Sequence, residues 1–322
     1  MGRKSGQKTR KAMKDITLVC VDAGGGHACG LSLGLRKYCN LTTVFENPNL
    51  HGLDHIEQKA LFGFDKLFEK FMTPGGDELI IMSVVTLIHL ENHMGVDNFK
   101  SYLKNWGVVK IIITDGTMVL DPDKYNKKMR GMEVFATMCK IALRGDLPTK
   151  EYYQPFDLSH VEIKKNDKLT IAHSPWVPSK AIEKGTCYIK EGIESYGDTV
   201  VFDIITNTPW EDALKRKAKS HIFIDQIFNK ENEYRIGLMN PGMGKSGIEA
   251  MHLESLVITR GQHKPREIPS PPIVWIGDQS WTELLDYYIH HPEERLKKIA
   301  MQKAWALKYA THDFAARNVL GI

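Results

Sequence analysis

A chain of 322 residues is longer than one hydrophobic core usually serves, so two domains are expected, and 42% hydrophobic with 25% charged residues excludes a disordered chain. Its five cysteines (Cys20, Cys29, Cys39, Cys139 and Cys187) lack the paired spacing of a disulfide framework or a zinc site, and no apolar run approaches the ~20 residues of a bilayer-spanning helix. The net charge of +4 sits in residues 1–14, where Arg3, Lys4, Lys8, Arg10, Lys11 and Lys14 precede the first acid, Asp15, so the remainder is net negative.

That basic arm is expected to be a solvated, disordered terminus or a contact for a polyanion. It lacks the apolar segment of a secretory signal, so a soluble, cytoplasmic protein is expected. Residues 16–21 read as a buried parallel strand, 22–27 as a tight glycine loop and 28–38 as a helix, the opening of a doubly wound α/β domain. Helical spacing follows at 54–72 and 129–143, and strands are expected at 79–85 and 108–114. The stretch 145–167, with Pro148 and Pro155, breaks the alternation and is the expected linker. The alternation then resumes, with strands at 168–173, 199–205, 221–227 and 256–260 and helices at 185–196, 210–219 and 247–253. Helical spacing over 281–288 and 292–318 ends the chain. The expected fold class is α/β, two doubly wound Rossmann-like domains (15–160 and 161–290) facing across a cleft, with 291–322 packing back toward the first.

The segment 240–251 is the most informative. Gly242, Gly244 and Gly247 let backbone approach a ligand, and a helix starting near Ser246 aims free N–H groups at the loop, which together make a phosphate site. A P-loop phosphotransferase would need glycine at position 239 to pair with Gly244-Lys245-Ser246, and Met239 stands there. A glycine-rich turn with a chance lysine is the bland alternative.

Lys184-Gly-Thr186, Phe202-Asp-Ile-Ile205, His221-Ile-Phe-Ile-Asp-Gln-Ile227, Gly247-Ile-Glu-Ala-Met251 and Val257-Ile-Thr259, in this order, resemble the carboxyl-terminal domain of GT-B glycosyltransferases of the GT4 group. The resemblance implies a UDP- or GDP-linked sugar as substrate, with no metal or other cofactor. Lys184, helped by Lys180, would face the donor diphosphate, where a charge-assisted contact stabilises the leaving phosphate. Glu249 would accept the ribose hydroxyls, and Gly244, Lys245, Ser246 and Gly247 would close on the phosphates or the sugar. Asp225 keeps a mostly structural role. One departure matters: where the group keeps an acid eight positions before the ribose glutamate, this chain has Pro241, which leaves retention or inversion of the anomeric bond open.

In the amino-terminal half, His27 follows the glycine loop where inverting enzymes of this architecture keep a base, and a neutral imidazole suits proton removal from a hydroxyl. Asp115, after a strand, is the competing base, and Asp22 is a lesser one. His89 and His93 lack a third metal ligand. The basic arm with Lys124, Lys127, Lys128 and Arg130 forms a surface suited to DNA phosphates. The compact amino-terminal half also resembles virus-encoded (bacteriophage) transferases of DNA modification, so hydroxymethylated pyrimidine in viral DNA is the expected acceptor. A cell-envelope glycan or lipid-linked sugar is the alternative. A non-catalytic nucleotide-sugar or nucleic-acid binding module is the reading from another class, and Pro241 favours it.

Overall fold

The computed structural model describes residues 13–20, 27–45, 77–113, 127–137, 149–176, 184–227, 243–260, 268–277 and 279–322. Six strands, β1 (Asp15–Cys20), β2 (Asn40–Phe45), β3 (Glu78–Met82), β4 (Val108–Ile113), β5 (Glu133–Thr137) and β6 (Thr149–Tyr152), form one sheet in the order β2-β1-β3-β4-β5-β6. Five more, β7 (Thr170–Trp176), β8 (Val201–Thr206), β9 (Ile222–Ile224), β10 (Leu256–Arg260) and β11 (Val274–Ile276), form a second in the order β11-β10-β9-β7-β8. Every pairing in both sheets is parallel. Each sheet starts on an inner strand, adds its second strand on one side and the rest on the other. The winding reverses between β1 and β3 in the first sheet and between β7 and β9 in the second. Sheets of this kind bind ligands at the carboxyl ends of the strands beside that reversal.

The described helices are α1 (His27–Leu35), α2 (Val84–Met94), α3 (Val96–Lys104), α4 (Thr186–Glu194), α5 (Trp210–Lys219), α6 (Lys245–His252), α7 (Trp281–His290), α8 (Pro292–Tyr309) and α9 (His312–Leu320). A parallel sheet covered on both faces demands strands without a polar side, and β3 is buried along its whole length. Alternate residues serve opposite layers: Leu79 and Ile81 pack with Leu87, Leu90 and Phe99 of α2 and α3, while Ile80 and Met82 pack with Leu31 and Leu35 of α1. The second sheet divides likewise, Phe223 and Val257 on one face and Ile222, Ile224 and Ile258 on the other.

The helix expected at 129–143 is corrected: the chain turns at Met129–Gly131 and enters β5. Val134 and Ala136 are buried on one face and Phe135 on the other, so the run has no polar stripe from which its period could be read. The helical stretch 292–318 is two helices, broken where Thr311 accepts the Phe314 N–H at 3.2 Å as the cap of α9. Strand β6 lies inside the stretch read as linker, and the helix read at 54–72 lies outside the described residues.

The chain passes between the sheets twice. After β6, residues 153–158 lead to the second sheet, and α9 returns to lie on α1, adding Ala315, Ala316 and Val319 to the first core. Small residues permit this approach: a methyl at Gly34 would overlap the His312 carbonyl. The two passages meet at the Ala310 carbonyl, which accepts the Phe156 N–H at 3.0 Å and His252 Nε2–H at 3.2 Å. Glu151 of β6 accepts the Ile268 N–H at 2.9 Å, a further tie between the two sheets.

Candidate functional site

Two helices begin at the carboxyl edge of the second sheet beside the reversal between β7 and β9. Helix α4 starts at Gly185, whose φ of 72° lies in the left-handed region that favours glycine. Helix α6 starts at Gly244. Neither has a side-chain cap or an acid in its first turn, so both leave N–H groups and a partial positive charge at the edge. Lysines stand at both starts, Lys184 just before Gly185 and Lys245 as the first residue of α6. A lysine there opposes the helix dipole and adds to the positive potential, which an anion would relieve.

Asp225 joins the two starts. It follows β9, is fully buried, and accepts Lys184 Nζ at 2.8 Å on one oxygen and the Gly244 N–H at 2.5 Å on the other. A Cβ on Gly244 would lie 2.9 Å from Lys184 Nζ and 3.3 Å from each Asp225 oxygen, so a side chain here would push the ion pair aside. His173, midway along β7, braces the same site. Its Nδ1–H donates to the Ile224 carbonyl at 2.7 Å, so Nε2 accepts the Thr186 hydroxyl at 2.9 Å. Burial pushes this imidazole down to about 4, with the nearby Lys184 charge acting in the same direction against the Ile224 hydrogen bond, and the ring is neutral at pH 7.

One turn into α6, Glu249 is buried to 1% exposure. It accepts Trp210 Nε1–H at 2.8 Å and Lys217 Nζ at 2.5 Å, with Lys245 Nζ at 3.7 Å. Burial pushes the carboxyl up, but the Lys217 and Lys245 charges and the two hydrogen bonds outweigh it and hold the group below the ordinary carboxylate range. Lys245 is the partly exposed member of this set and lies over the rings of Trp210 at 5.5 Å and Phe156 at 5.9 Å.

Of the residues singled out in the sequence, Lys184, Gly244, Lys245, Gly247 and Glu249 come together here, with Ser246 half-buried among them. His27 is the first residue of α1. Lys180, Asp115, Asp22, Pro241 and Lys124 lie outside the described residues. Lys127, Lys128 and Arg130 precede β5, at the amino edge of the first sheet, opposite the edge where ligands bind. The sequence reading missed His173, Thr186, Trp210 and Lys217. Lys217 had left a signal, since it shares the apolar face of α5 with Ala213, Leu214 and Ala218. Among the described residues, no three His, Cys, Asp or Glu side chains group as a metal site, and no helix is long and apolar enough to cross a membrane.

Neither a protein-family model nor a curated protein sequence matches the chain. Solved structures do match in fold. An alpha-glucosyltransferase in complex with UDP and a 13-mer DNA containing a HMU base superposes with a TM-score of 0.57 at 11% identity, covering 96% of this chain and 99% of that one. HepE from Anabaena, in complex with UDP-glucose, gives 0.59 at 11% identity over 96% and 98%. A UDP-N-acetylglucosamine 2-epimerase gives 0.54 at 12% identity over 96% and 95%. The fold is thus the expected one, two doubly wound Rossmann-like domains facing across a cleft, the GT-B architecture.

Proposed function

We propose that this chain is a glycosyltransferase that moves a sugar from a UDP- or GDP-linked donor to an acceptor hydroxyl. The observation that carries the reading is the meeting of two uncapped helix starts, Lys184 and Lys245 at the reversal point of the second sheet. A diphosphate is the ligand whose charge and length suit two dipole ends and two ammonium groups. Solved structures of the same fold that hold UDP and UDP-glucose support it.

In this reading the acceptor oxygen attacks the anomeric carbon, the bond from that carbon to the diphosphate breaks, and the nucleoside diphosphate leaves with the electron pair. Lys184, held by Asp225, meets the charge that develops on the leaving phosphate, and the positive ends of α4 and α6 add fixed dipoles. Lys180 and Ser246 complete the donor set. Glu249 receives the ribose hydroxyls once Lys245 turns from its carboxylate toward the phosphates. The proton released by the acceptor goes to His27 or to Asp115. The chemistry needs no metal, because the lysines and helix starts supply the positive charge.

Hydroxymethylated pyrimidine in DNA is the proposed acceptor, supported by the DNA-bound glucosyltransferase of the same fold and by the basic arm. A cell-envelope glycan or a lipid-linked sugar would use the same donor chemistry. The test is a panel of nucleotide-sugars read by thermal shift, followed by product analysis on hydroxymethylated DNA. A donor at 100 times its Kd adds ~2.7 kcal/mol of stability, and Lys184→Ala is expected to erase most of that gain. Donor binding with glycosylated DNA supports the proposal. Conversion of the donor to its epimer without any acceptor would replace it with an epimerase, and donor binding without turnover would leave a binding module.

A further inference from the structure

The first domain carries a second charged site, on the edge opposite the strand ends that bind ligands. A groove of about 410 Å³ runs between α2, α3 and the turn at 127–132, with an apolar floor around Leu103, Val109 and Met132. Helix α3 leads into β4 and the turn leads into β5, so the groove lies one strand length, ~20 Å, from the carboxyl edge. Lys100, Lys104, Lys127, Lys128 and Arg130 line it.

The acid in this groove is Glu91, and Lys128 pairs with it. Lys100, Lys104, Lys127 and Arg130 are exposed and, among the described residues, have no carboxylate within ion-pair distance. Lys100 and Lys104 are a like-charge pair one turn apart on α3, an arrangement that weakens a helix by itself. Four cations from two chain segments around one groove, without an ion-pair partner among the described residues, repel each other, and a ligand carrying several negative charges relieves that repulsion.

We infer that this groove binds the phosphate backbone of a nucleic acid, as a surface separate from the donor site. A single small anion gains little from exposed lysines, whereas a chain of phosphates gains from every condensed counterion it releases. The groove offers no exposed large apolar side chain to insert into a bilayer. The choice of nucleic acid rests on the DNA-acceptor reading above, while the charge argument stands without it.

The test is binding of the full chain to an unmodified DNA duplex, without nucleotide-sugar, between about 50 and 200 mM salt. Against the parent protein, the K100Q/K104Q/K127Q/R130Q variant is expected to show a log-log salt slope shallower by ~3.6, so that its affinity falls about 150-fold less over that range. The K100Q/K104Q pair, which alters one helix alone, should show about half that change in slope and covers a failure of the quadruple variant to fold. The thermal shift with UDP should be unchanged in both. A parent protein that binds duplex through this groove yet never glycosylates hydroxymethylated DNA would remove the acceptor reading and support this one. Equal slopes and affinities in parent and variants would overturn the inference. So would variants that keep DNA binding but lose retention on phosphatidylserine vesicles, which would make the occupant a lipid surface.

Discussion

The two edges of the second sheet use the same residue type to opposite ends. At the amino edge, Lys165 donates to the carbonyl of Ser220 at 2.6 Å and of Leu253 at 2.8 Å, the residues that end α5 and α6. An ammonium there complements both helix dipoles and satisfies carbonyls at the two helix ends, so this lysine completes the fold. At the carboxyl edge, Lys184 and Lys245 stand at helix starts, where the dipole opposes them. Asp225 and Glu249 offset part of that charge, and an anion offsets the rest. A lysine is therefore read by which end of a helix it meets, and helix α6 carries one case at each end.

The largest effect expected at these edges is on stability. Glu249→Ala leaves the buried Lys217 ammonium without its main countercharge, and a cost of about 3–5 kcal/mol is expected in urea unfolding. The double variant Glu249→Gln with Lys217→Met should recover most of it. An unchanged urea midpoint for Glu249→Ala would show that the carboxylate is not buried against Lys217, and the carboxyl edge would then be as open as a surface.

The next effect is a pH dependence at the carboxyl edge. His173 has a folded pKa of about 4 against an ordinary value near 6.5. Between these values the unfolded chain binds a proton that the folded one refuses. Stability from this group is thus complete above pH 6.5 and is lost as pH falls toward 4, by about 3 kcal/mol in all. His173→Gln should remove that part of the acid sensitivity, as urea titrations at pH 7 and pH 4.5 would reveal. Identical pH profiles for the two proteins would mean that the ring is accessible to solvent.

The comparison itself is tested by exchanging losses. The double variant Lys184→Ala with Asp225→Asn, which leaves no buried carboxylate without its countercharge, should weaken UDP binding about 10- to 100-fold while changing stability little. Lys165→Ala should cost about 2 kcal/mol of stability and leave UDP affinity intact in the protein that remains folded. Calorimetric titration together with thermal unfolding reads both, and a lysine that failed in both assays or in neither would break the contrast. The smallest effect expected is at Gly185, where alanine in the left-handed region costs about 1 kcal/mol and asparagine less.

How far the sequence was legible varied along the chain. Where helices with a polar face alternate with strands, as from 185 to 260, elements were read to within a few residues: α5 and β10 run over the residues assigned to them. Where a strand is covered on both faces, as in β5, its apolar run has no polar stripe, and a helix was expected instead. Short edge strands such as β6 and β11 left too few residues for any period to register. The glycines at 185, 244 and 247 were the most legible part of the site, because left-handed backbone at 185 and close approach of side chains at 244 and 247 favour a residue without Cβ.

The sequence by itself determined that two doubly wound domains follow one another, and that a lysine-glycine pair and a glycine-rich turn open helices in the second. Those are properties of local period and backbone freedom, which neighbouring residues fix. Only the tertiary structure decided which charges are spent inside the fold. Asp225 reaches Lys184 across 41 positions and Lys217 reaches Glu249 across 32, and no local pattern announces a partner at that distance. Burial then determines the outcome, because a charge removed from water must find its countercharge wherever the chain has brought one.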